Sequence, residues 1–73
     1  MNHTDPVNRP AHYTAHPSGV ECIKIAMHEN FCRGNAIKYI WRAGKKDPAT
    51  EVQDLRKAIA CLEVEITRLG GNV

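Results

Sequence analysis

From Val52 to Leu69 the chain sets an apolar residue at Val52, Leu55, Ile59, Leu62, Ile66 and Leu69, in steps of three, four, three, four and three. No strand can use such spacing. A strand alternates its side chains with period two, whereas one stripe of an α-helix recurs every 3.6 residues. The pattern predicts a helix running to about Leu69 and stopped by Gly70-Gly71. Its start is marked by Asp47 as N-cap with Pro48 at the first helical position, or slightly later by a Thr50-x-x-Gln53 capping box. The repeat lasts nearly three heptads, which makes it a candidate coiled-coil seam. A helix of about 20 residues is ~30 Å long.

Two shorter helices are expected upstream. Ser18-Gly19-Val20-Glu21 has the form of a capping box, predicting a helix to roughly His28 with Val20, Ile23 and Met27 inward. Asn30 is a plausible cap for a helix from about Phe31 to Ala43, ended by Gly44. Its apolar stripe is Ala36, Ile37, Ile40 and Trp41. Residues 1–17 hold three of the four prolines and little apolar periodicity, so they read as an extended N-terminal arm. The expected architecture is all-α: a three-helix hairpin-like bundle over residues 18–73 behind an arm over residues 1–17.

A chain of 73 residues is one domain at most. It buries too little surface to be comfortably stable without disulfides, metal or self-association. The cysteines are Cys22, Cys32 and Cys61, an odd number with no Cys-x-x-Cys pair and no signal peptide. They read as reduced, packed thiols in a cytoplasmic protein. No apolar run approaches the roughly 20 residues of a membrane span, so no membrane partner is expected. Self-association remains, and the two shorter helices cannot cover the whole seam. A homo-oligomer joined along the long C-terminal helix is therefore expected.

The net charge is only +2, which argues against a general nucleic-acid surface. Basic charge is instead local. In "GNAIKYIWRAGKK", Gly34 to Lys46, the cations Lys38, Arg42, Lys45 and Lys46 fall within nine residues with no acid among them. Asn35, Lys38, Tyr39 and Arg42 recur at helical spacing and share one face. Lys38 can offer a point charge and Arg42 a planar fork that fits two phosphate oxygens. Asn35 can pair with base, sugar or phosphate, and Tyr39 can stack or donate its hydroxyl. Gly34 lets a backbone or ligand come close. The competing reading is a solvated basic face whose last lysines favour the helix dipole.

His12 and Tyr13 lie in the proline-bounded stretch "NRPAHYTAHP". They are expected to pack back on the helices. There His12, which titrates near neutrality, either fills space or completes the phosphate site. Glu51 and Asp54 stand three apart near the start of the last helix. Such a pair can hold Mg²⁺, or can simply favour the helix N-terminus. No Walker-type glycine loop occurs.

The order P-x-H-Y, G-V-E, F-x-x-G-N-A-I-K-Y-I-x-R-A-G-K-K and D-L-x-K-A resembles a small bacteriophage domain of unknown function that is often labelled phage nucleotide kinase. The matching residues are Pro10, His12, Tyr13, Gly19, Glu21, Phe31, Gly34 to Ile40, Arg42 to Lys46, Asp54, Leu55, Lys57, Ala58 and Leu62. The resemblance implies a phage protein in the host cytoplasm that handles nucleotides, and in some members phosphorylates deoxynucleoside monophosphates without a P-loop. His12 would then be the catalytic group. His12, Tyr13, Gly34, Asn35, Lys38, Tyr39, Arg42, Lys45 and Lys46 would bind nucleotide, with Mg²⁺ accompanying it. The chain departs from the pattern in having little beyond the bare domain and in carrying Cys61 where a large aromatic residue is expected. A non-catalytic sponge for a host defence signal and a host-protein-binding helical protein remain alternatives.

Overall fold

The computed structural model describes residue 13 and residues 16–45 and 47–73. These form three α-helices: α1 (Cys22–Ala26), α2 (Phe31–Arg42) and α3 (Glu51–Arg68), with a 3₁₀ turn at Pro48–Thr50 leading into α3. There is no strand among the described residues. No helix among them is long and apolar enough to cross a membrane. Of the expected arm, only Tyr13, His16 and Pro17 are described, and Tyr13 is helical in backbone conformation.

Caps set most helix limits. The Asn30 side chain accepts from the Arg33 N–H at 2.9 Å and opens α2. Gly44, with φ +77°, turns the chain out just past Arg42, where a residue with a Cβ would be strained. Asp47 Oδ1 accepts from the Ala49 N–H at 3.0 Å, and Pro48 begins the 3₁₀ turn. The Thr50-x-x-Gln53 box does not form: the Thr50 hydroxyl donates to the Asp47 carbonyl instead. At the far end the Gly71 N–H reaches the Ile66 carbonyl at 2.8 Å and the Gly70 N–H reaches Thr67 at 3.0 Å. These two bonds make a Schellman closure.

α1 departs from expectation in length and in face. Ser18 does not cap it. The Ser18 hydroxyl accepts from the Val20 N–H at 3.2 Å and lies 2.7 Å from His16 Nδ1, and Gly19 has φ +79°. The Ser18 hydroxyl thus takes the Val20 N–H and the Ser18 N–H goes to His16 Nδ1, so no capping box forms with Glu21 and helix begins only at Cys22. The inward residues are Cys22, which is buried, and Ala26; Val20, Ile23 and Met27 are exposed. Small residues win because α1 lies very close to α2. A Cβ built on Gly34 would stand 3.1 Å from the Ala26 carbonyl oxygen. Gly34 therefore serves approach of backbone to backbone.

α2 and α3 form an antiparallel hairpin. Arg42 meets Asp54 at its closed end, and Asn30 and Arg33 meet Glu65 at its open end. Ala36 and Ala58 are buried midway between. The face that α3 turns toward α2 is Asp54, Ala58 and Glu65, with Cys61 half-buried. The heptad row from Val52 to Leu69 points elsewhere, and every member is at least 41 % exposed. Alanine lets the helices approach and the ion pairs fix their register. The larger aliphatic side chains are thereby left on an adjoining flank.

Candidate functional site

The antiparallel crossing brings the middle of α2 against the first half of α3, and there the basic side chains gather around one ring. Lys38 Nζ lies 4.7 Å from the centroid of Tyr39, the Arg42 guanidinium carbon 4.9 Å, and Lys57 Nζ 5.5 Å. Each contact is a cation–π interaction worth about 0.5–1 kcal/mol at a partly exposed site. Three cations around one ring also repel one another, so the counter-charges decide what the cluster can do.

Only Arg42 has one. Its Nε and Nη2 both donate to Asp54 Oδ1, at 3.2 and 3.0 Å, and its Nη1 donates to the Tyr13 hydroxyl at 3.3 Å. Burial works against the guanidinium's charge, but the bonds to Tyr13 and Asp54 outweigh it and raise its pKa above the ordinary value. Arg42 is thus an internal strut joining three segments, although sequence spacing placed it on an open face. Asp54 is 2 % exposed, and its Oδ2 is buried without a hydrogen-bond partner. Lys38 and Lys57 make no ion pair among the described residues and are half-buried. Two ammonium groups held beside a ring, neither in an ion pair with another described residue, are suited to a phosphate or other small anion.

The other expected site residues divide between this cluster and elsewhere. Asn35, half-buried one helical turn before Tyr39, makes no hydrogen bond among the described residues. Tyr13 is drawn in by Arg42. Lys45 turns back along α2 and donates to the Trp41 carbonyl at 2.7 Å, satisfying a C-terminal acceptor. Glu51 is exposed at the start of α3, whereas Asp54 is turned inward to Arg42. Among the described residues no group of three or more His, Cys, Asp or Glu side chains could hold a metal ion. His12 and Lys46 lie outside the described residues.

Lys57 was not singled out as a site residue from pattern alone. The available signal was its spacing: three positions after Asp54, it shares a helix face with that carboxylate. A second centre also escaped notice. Glu65 is buried and receives Asn30 Nδ2 at 2.6 Å and Arg33 Nε at 2.9 Å on Oε2, and Arg68 Nε at 2.7 Å on Oε1. Arg68 first, then Asn30, hold its carboxyl down to about 2 from the usual 4.5. Every carboxylate oxygen there is used, which marks it as a structural clasp on the open end of the hairpin.

His16 packs on Trp41 with ring centroids 4.6 Å apart and tilted by 38°. Cys22 is buried beneath α2; burial pushes its thiol pKa up, partly opposed by Lys38. None of the described cysteines is in a disulfide.

Residues 7–63 match the family model of DUF3310, described as a protein of unknown function. No curated protein and no solved structure matches the chain.

Proposed function

The chain belongs to the DUF3310 family, whose description assigns no activity, and we propose from its site that it is a nucleotide-binding protein gripping phosphate beside Tyr39. The observation that carries this reading is the pair of ammonium groups, Lys38 and Lys57, at 4.7 and 5.5 Å from one ring, neither in an ion pair with another described residue. Phosphate would relieve their mutual repulsion, and Asn35 offers an adjacent amide that makes no hydrogen bond among the described residues. The hydroxyl and ring of Tyr39 suit the nucleoside side of such a ligand.

The resemblance of the central run to phage nucleotide kinase domains extends the proposal to phosphoryl transfer, with His12 as the candidate catalytic group and Mg²⁺ arriving on the nucleotide. A kinase of this kind works by positioning and charge neutralisation, so the cations would do most of the catalytic work. One observation favours binding without transfer: Arg42 and Asp54 are committed to each other. Under that reading the protein sequesters a nucleotide signal of the host cell.

Calorimetry with mono-, tri- and cyclic nucleotides tests the shared claim, and saturable binding of at least one is expected. No heat with any of them rejects it. Turnover of ATP with dTMP or dGMP then separates transfer from sequestration.

A further inference from the structure

α3 carries two rows of side chains about a quarter-turn apart, at 100° per residue. One row, Asp54, Ala58, Cys61 and Glu65, faces α2. The other is the heptad row, whose six members are 41–62 % exposed. Helical periodicity puts Ile40 of α2, itself 54 % exposed, on the same side of the hairpin as that row. Tyr39 and Lys57 fall on the opposite side. One flank of the hairpin is thus basic and the other apolar.

We propose that the apolar flank is a dimer interface, on which a second copy of this chain lays its own α3 in a parallel two-stranded coiled coil. This goes beyond the function proposed above and does not depend on it. Three observations select this occupant. The row has the two-position character of such a seam: Val52, Ile59 and Ile66 at one heptad position, Leu55, Leu62 and Leu69 at the other. Branched residues at the first and leucine at the second favour two parallel strands. Charge agrees as well. In an in-register parallel pair, exposed Glu51 of one copy falls opposite exposed Arg56 of the other, on both sides of the seam. Finally, the buried apolar residues among those described are only Cys22, Ala36 and Ala58. A chain this short gains from further burial, and α3 of a second copy offers the surface for it. The dimer would leave both Tyr39 clusters open.

Sedimentation equilibrium at micromolar concentration reads the outcome. Wild type is expected at twice the chain mass, and Leu62→Asp is expected to lose the dimer, whether or not it stays helical. Leu55→Cys supplies a variant that needs no loss of folding. In the parallel register the two introduced thiols face each other and form an intermolecular disulfide under mild oxidation. The unmodified chain, with Cys22, Cys32 and Cys61, sets the baseline. A monomeric wild type, a Leu62→Asp dimer, or a Leu55→Cys chain that cross-links no more than wild type would each overturn the proposal.

Discussion

Arg42 sets both Nε and Nη2 on a single oxygen of Asp54, at 3.2 and 3.0 Å, and leaves the second oxygen buried without a partner. The pair closes the loop end of the α2–α3 hairpin, and Nη1 ties in Tyr13 from the N-terminal side. Removing one member of a buried pair strands the other charge, which costs about 3–5 kcal/mol. Arg42→Ala is therefore expected to lower the urea midpoint sharply, and Asp54→Ala to do the same. The double variant should cost clearly less than the sum of the two, because the stranded charge is then gone. Additive losses in a denaturation cycle would show that the pair is not coupled.

Glu65 gives the fold an acid limit. Its carboxyl sits at about 2 in the folded chain against 4.5 ordinarily. Between those values the unfolded chain binds the extra proton, so stability rises with pH there. The contribution is complete above about pH 4.5 and lost as pH falls toward 2. Thermal melts across this range should show a steeper decline for wild type than for Glu65→Gln, which has no carboxyl to titrate. Parallel declines would remove Glu65 as the origin.

Cys22 should be the slow thiol. It is buried and its pKa is raised by that burial, so little thiolate is present near neutrality. Cys32 and Cys61 are half-buried. Alkylation of the native protein followed by mass mapping is expected to mark Cys32 and Cys61 before Cys22. First modification at Cys22 would place it in a more open setting than the packing of α1 on α2 allows.

The helices were legible where caps announce them. Asn30, Gly44, Asp47-Pro48 and Gly70-Gly71 each act near the predicted boundary, because capping is a local hydrogen-bonding question. Faces were less legible. Hydrophobicity predicted that Val20, Ile23 and Met27 would turn inward, yet close approach of α1 to α2 selects Cys22 and Ala26. The α2–α3 contact uses alanine and ion pairs to the buried carboxylates of Asp54 and Glu65, which no apolar period reports. For the same reason Arg42 looked available to a ligand, whereas Asp54, twelve positions away, holds it. The cluster around Tyr39 could be half read. Lys38 and Tyr39 lie in one run, but Lys57 joins only through the antiparallel crossing.

The central claim is that Lys38 and Lys57 together hold phosphate beside Tyr39. Calorimetric titration of a nucleoside triphosphate into wild type and into the Lys38→Ala/Lys57→Ala double variant tests it most directly, with circular dichroism to verify that both are helical. A hydrogen bond to a charged group contributes about 1.5–3 kcal/mol, so each lysine should account for roughly ten-fold or more in affinity. Wild type is predicted to bind, more weakly as salt is raised, and the folded double variant to lose at least 100-fold. Equal affinity in the two folded proteins, or no binding by wild type, would contradict the account.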